Sequence, residues 1–233
     1  MEKAQERQFL HNMYFYNRMF NFEVYTLLQA MVNCGVNILV HGRKGAGGDE
    51  LLNTLFDSKT TTEDITMYLG PVSIKDLYPR RKIYDIGVEQ PDGETFLQSN
   101  VAVINGLTRE NIQFFLEMCK RGQGLASLES NTLNFALEEA DELLRDSTIS
   151  EENLNAIDFV LTVEAHKLVS ISEVVVNQLG KCELQPISQY VGGNEYSFNS
   201  FMSEDKLIKM RNNNYEEAER FLLSIRTYEP SEE

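Results

Sequence analysis

The stretch VNILVHGRKGAGGDELLNTLF, residues 36–56, changes its patterning twice. Val36 to Val40 is a short apolar run, the pattern of a strand buried on both faces. Gly42 to Gly48 is rich in glycine and reads as a tight turn. From about Asp49 to Phe56, Leu51, Leu52 and Leu55 recur at helical spacing. Strand, glycine-rich turn and helix in that order direct backbone N–H groups at a helix N-terminus, where they converge on an anion. The phosphate-loop pattern is G-x-x-x-x-G-K-[ST]. In Gly42-Arg43-Lys44-Gly45-Ala46-Gly47-Gly48-Asp49 the two spaced glycines match, but Gly48 stands in the lysine slot and Asp49 in that of the magnesium-binding hydroxyl. A carboxylate there faces phosphate with like charge, at a cost on the order of a few kcal/mol in a partly desolvated site. Taken alone, the turn fits either a plain tight connection or a ligand site.

Working outward, residues 1–35 carry Phe22, Tyr25, Leu28 and Val32 at helical spacing and end at Gly35, suited to a helix C-terminus. Beyond the loop, Ile65 to Leu69 and Lys82 to Val88 are expected as strands between turns at Pro71, Pro79 and Pro91-Asp92-Gly93. Val101 to Ile104 is a second buried strand, and Thr108 to Lys120 an amphipathic helix with Ile112, Phe115, Leu116 and Cys119. Gly122 to Leu128 supplies a loop and short strand, and Asn131 to Arg145 an acidic helix. Phe159 to Glu164, Leu168 to Val176, Cys182 to Val191 and Glu195 to Phe201 read as antiparallel strands with Gly192-Gly193-Asn194 as a turn. Helices follow over Ser203 to Met210 and Tyr215 to Leu223. The alternation predicts an α/β fold with a mainly parallel sheet and a C-terminal antiparallel region. A division follows: an N-terminal helical segment 1–21, a domain 22–225 and an acidic tail 226–233, expected to be mobile.

The chain has 233 residues, 42% hydrophobic and 24% charged, which supports a sizeable core and excludes disorder throughout. Its 21 basic and 36 acidic residues give −15, a charge that repels nucleic acid. Cys34, Cys119 and Cys182 lack metal-ligand spacing and read as reduced thiols of a cytosolic chain, mostly core filler. The N-terminus lacks a signal-peptide pattern, and no apolar run approaches the roughly 20 residues of a membrane helix.

From Phe22 to Phe56 the sequence resembles the type II/IV secretion and pilus motor ATPases, and looks closest to their Tad-pilus and conjugation branch. Val101 to Gly106 falls where that family has its Walker B strand. GQGLASLESN, Gly122 to Asn131, looks like its GxxGSLATIHAN stretch, and Ala156 to Val174 is similar to its late strand pair. The match is colinear over about residues 22–210 and implies a RecA-like core. The departures fall on the chemistry. Besides Gly48 and Asp49, Asn105-Gly106 follows the strand where the family has a magnesium-holding acid. No adjacent acid pair stands near Ile65 to Leu69, and Glu129 takes the place of the family's histidine. The chain also has only about twenty residues where the family has its N-terminal domain. The resemblance therefore implies a degenerate scaffold, without ATP or magnesium as cofactors, acting in the cytoplasm at the inner membrane face. Its partners would be proteins, an active motor or a membrane platform, and its own assembly a monomer or small oligomer. The alternative is a weak ATPase in which Lys44, beside Arg43, serves as a displaced lysine.

Other candidates have plainer uses. His11, His41 and His166 share no metal spacing, and His41, after a buried strand, is expected as a hydrogen-bonded structural residue. Ser127 and Ser130 lack a nucleophile-elbow frame. Arg80-Arg81-Lys82 reads as a solvated basic loop, with an arginine-finger remnant or an anion patch as alternatives. Phe9, Tyr14, Phe15, Tyr16, Phe20 and Phe22 are expected to pack on the core or to bind a partner.

Overall fold

The computed structural model describes residues 19–61, 64–130, 136–144, 151–199 and 202–226. The expectations for the aromatic segment before Met19 and for the acidic tail lie outside the described residues. Helix α1 (Phe22–Asn33) starts where Asn21 accepts a 2.9 Å bond from the Val24 N–H, and the chain leaves it through Gly35 at φ +68°, as the sequence predicts. Strand β1 (Ile38–Arg43) is buried up to Gly42, and the glycine-rich turn leads into α2 (Gly48–Ser58). Then come β2 (Ile65–Leu69), β3 (Lys82–Asp85), α3 (Gly93–Gln98), β4 (Val101–Ile104), α4 (Ile112–Arg121), β5 (Gln123–Ser130) and α5 (Ala136–Leu144). The chain continues through β6 (Phe159–Glu164), β7 (Lys167–Val176), β8 (Cys182–Gly192) and β9 (Glu195–Phe198) to α6 (Glu204–Asn213) and α7 (Tyr215–Arg226).

The strands form one sheet in the order β3-β2-β4-β5-β1-β6-β7-β8-β9. Pairing is parallel from β3 to β6 and antiparallel from β6 to β9. The fold is thus α/β with a parallel half and a C-terminal antiparallel half, as expected. Strand β5 lies between β1 and β4, although three strands separate it from β1 in sequence. Leu51, Leu52, Leu55 and Phe56 of α2 join α1 and α7 in the core on one face, with Ile38 and Val40. The core on the other face gathers Phe115 and Leu116 of α4 and Leu137 and Ala140 of α5 over Leu39 and Ala126. The connections leaving β1 and β5 therefore go to opposite faces. Between the carboxyl ends of two such strands an α/β sheet opens its ligand crevice.

The opposite end of the parallel strands is tied down by buried polar groups. The Asn37 amide donates to the carbonyls of Cys119 (2.8 Å) and Ala156 (2.7 Å) and its oxygen accepts from Gly124 N–H (2.8 Å). Asp158 accepts from Asn37 N–H at 2.7 Å and from Lys206 and Lys209 of α6 at 2.8 and 2.5 Å. Cys34 and Cys119 are buried, as expected of core filler, and burial pushes the Cys34 thiol up to about 12. Among the described residues no helix is long and apolar enough to cross a membrane.

Candidate functional site

The crevice gathers the loop after β1, the end of β4, the end of β5 and the β6–β7 turn. Gly42 closes β1 against β6, so tightly that a Cβ there would meet the Val163 carbonyl oxygen at 2.7 Å. Arg43, Lys44 and Gly45 form the exposed tip, with Gly45 at φ +73°. The turn is held by Ala46 N–H donating to the Arg43 carbonyl at 2.9 Å, and the Ala46 carbonyl accepts from His166 N–H at 2.8 Å. Gly47, at φ +100°, precedes α2, and a Cβ on it would meet His166 Nδ1 and Met19 Cε, each at 2.9 Å. Gly48 differs from both: its φ is helical, and a Cβ would meet only Val40 Cγ1 at an ordinary 3.7 Å. Nothing in the backbone demands glycine in the lysine slot.

Asp49 turns inward. Its Oδ1 accepts from the Ser127 hydroxyl at 2.9 Å, and that hydroxyl oxygen accepts from Gly106 N–H at 2.9 Å. With the Asn105 carboxamide oriented so that its nitrogen faces Asp49, it donates to Oδ1 at 2.6 Å, to Oδ2 at 3.1 Å and to Ser127 Oγ at 3.3 Å. Asp49 and Asn105, the residues that the resemblance sets against the family's metal-binding hydroxyl and metal-holding acid, are thus joined to each other, with Ser127 of β5 as the third member. Partial burial raises the Asp49 pKa above its ordinary value, the Ser127 bond opposes this, and Glu129 and Glu50 add to it. Glu129, opposite Gly42 in the β1–β5 register, is exposed. Asp49 and Glu50 occupy the first turn of α2, where carboxylates offset the helix dipole that a bound phosphate would otherwise meet.

Arg43 and Lys44 line a different, shallow pocket of ≈ 310 Å³ with Gly45, Ala46, Glu164 and Ala165. Asp49 is not part of its wall. Among the described residues no group of three or more His, Cys, Asp and Glu side chains could hold a metal ion. At the crevice the Asp49 carboxylate is engaged by an amide and a hydroxyl of the protein itself.

Two expectations are corrected. His41 is fully buried and structural in position, but neither ring nitrogen has a hydrogen-bond partner among the described residues; Nε2 lies 3.5 Å from Glu139 Oε2. The basic run at 80–82 is neither an anion patch nor a uniformly solvated loop. Arg81 caps the C-terminus of α2, its guanidinium donating to the carbonyls of Phe56 at 2.7 Å and Lys59 at 2.6 Å and lying 4.5 Å from the Phe56 ring. Arg80 and Lys82 are exposed.

Neither a protein-family profile nor a curated protein matches the chain. Among solved structures it is similar to the VirB11 ATPase of the Brucella suis type IV secretion system, in complex with sulphate. That likeness has 12% identity and a TM-score of 0.48, over 73% of this chain and 50% of that one. It is also similar to the pilus retraction motor PilT with bound ADP, at 14% identity and TM-score 0.45, over 86% of this chain and 57% of that one. The chain spans between half and three fifths of the length of these structures.

Proposed function

We propose that this chain keeps the scaffold of a secretion or pilus motor without its ATP chemistry, and serves such a machine as a structural or regulatory subunit. The observation that supports it is the closed set of hydrogen bonds joining Asp49, Asn105 and Ser127, next to a lysine slot occupied by Gly48. Phosphoryl transfer depends on cationic stabilisation of the γ-phosphate and on a held magnesium. Here the first position carries no side chain, and the second carries a carboxylate already satisfied by protein donors. The partners proposed are proteins, an active motor or a membrane platform at the inner membrane face, with no nucleic acid, no direct insertion in the bilayer and no ATP or magnesium cofactor. Calorimetry with magnesium and ATP tests this: binding no tighter than the millimolar range is expected, with no measurable hydrolysis. A micromolar dissociation constant that Lys44→Ala abolishes would replace this function with a weak ATPase built on the displaced lysine.

A further inference from the structure

His41 is the one histidine of β1, and its ring is set on the α4–α5 face of the sheet, not in the crevice. In register it lies between Leu128 of β5 and Thr162 of β6, neither of which carries charge. The charged group set against the ring is Glu139 of α5, with Oε2 3.5 Å from Nε2. Glu139 also accepts from the Ser130 hydroxyl at the end of β5. Nδ1 faces no acceptor among the described residues. A buried polar group left this way is uncommon and destabilising, more so when it is charged.

We propose that His41 is a pH-sensitive latch for α5: the neutral ring allows the helix to stay docked, and protonation releases it. An imidazolium carries two N–H donors and needs two acceptors. The docked state offers Glu139, at a distance outside good hydrogen-bond geometry, and nothing for Nδ1. What holds α5 is short, the buried side of a nine-residue helix formed by Ala136, Leu137, Ala140 and Leu144. Moving it outward admits water to the ring, which hydrates the new charge. Burial holds the imidazole below its ordinary value of 6.5, against the pull of Glu139. The docked state therefore binds a proton less readily than the undocked one, and docking weakens as pH falls below about 6.5.

Amide hydrogen exchange on the full chain from pH 7.5 to 5.5, corrected for the intrinsic pH dependence of exchange, tests the latch. Protection of the α5 amides is expected to fall by up to about tenfold per pH unit below 6.5, the limit for one proton, while α4 stays constant. In His41→Leu the α5 protection should be flat across the range, and in Glu139→Gln the fall should persist because the ring remains. An equal fall in His41→Leu, or a flat response in the natural chain, overturns the proposal. If His41→Leu does not fold, ring titration by nuclear magnetic resonance in the natural chain decides. Protonation coinciding with loss of α5 protection supports the latch, and protonation with α5 still protected overturns it.

Discussion

Gly47 and Gly48 are neighbours with opposite requirements. At φ +100°, with His166 and Met19 crowding the place a β-carbon would take, Gly47 cannot take a side chain without strain and collision. Gly47→Ala is expected to cost about 1–3 kcal/mol in urea denaturation. Gly48 sits in a helical conformation with open space, so Gly48→Ala should be neutral or stabilising by about 0.5 kcal/mol. Equal losses at both positions would show that Gly47 is not crowded in a left-handed conformation and Gly48 is not open. The same openness means that Gly48→Lys with Asp49→Thr should fold, and it is expected to recover phosphate or nucleotide affinity without turnover, since Asn105 and Glu129 remain. Turnover in that double variant would refute the idea that the other sites are also lost. Asp49 itself gives a pH test. Its native pKa is raised, so the native state takes up the proton before the unfolded chain does. Stability of the natural chain should therefore gain on that of Asp49→Asn as pH falls from neutral toward the ordinary value of 3.8, and the gain ends below it. Urea midpoints of the two proteins across this range measure it; an advantage of the variant that grows on acidification would reverse the sign of the shift.

Among the elements, those with strong periodicity were legible in the sequence and the short polar ones were not. Helix α1, β1, β4 and α4 lie where the spacing of apolar residues places them, and β2 and β3 fall within the expected stretches Ile65 to Leu69 and Lys82 to Val88. Helix α3 is not legible because its Pro91-Asp92-Gly93 start reads as a turn. In the structure Asp92 instead accepts from Thr95 N–H at 2.6 Å and caps six residues of helix. Strand β5 reaches Ser130, two residues beyond the expected run, because parallel pairing with β1 carries its polar end along. Arg81 was legible as a cation and not as a cap: the carbonyls it meets lie more than twenty residues earlier. Its contacts carry an expectation at this scale. Arg81→Ala should cost about 1–3 kcal/mol through the lost bonds to carbonyls and the lost stacking, and Arg81→Lys should restore little, because a point charge cannot bridge the last carbonyls of α2 in parallel. Chemical denaturation that leaves Arg81→Ala unchanged would return the run at 80–82 to the solvated loop expected from sequence.

Over the whole molecule, what the sequence withholds is strand order. Nothing local places β5 between β1 and β4, yet that insertion brings Ser127 to Asp49, 78 positions earlier in the chain, and so completes the crevice. The sheet is continuous from β3 to β9, and Asp158 fastens α6 to its parallel half, so the parallel and antiparallel halves share one framework. Charge acts on that framework as a unit. The formal net charge of −15 produces mutual repulsion in the compact state. The exposed pairs Lys75–Glu89 and Arg211–Glu219 offset little of it, because such pairs contribute about 0–1 kcal/mol each. Lys206 and Lys209 reach a carboxylate that is itself buried, where salt screens weakly. Between 0.01 and 1 M sodium chloride the screening length falls from about 30 to about 3 Å, which removes repulsion among surface charges while leaving the Asp158 cluster intact. Stability is therefore expected to rise with salt, seen as a higher urea midpoint at an unchanged denaturant slope. Light scattering at the low-salt end should give the mass of a monomer or small oligomer, because the same repulsion acts between copies. A midpoint that falls with added salt would mean that attractive surface pairs outweigh the net charge. A stable six-fold mass at low salt, without partner or nucleotide, would mean that the chain closes a ring against its own repulsion, and would return a motor function to this scaffold.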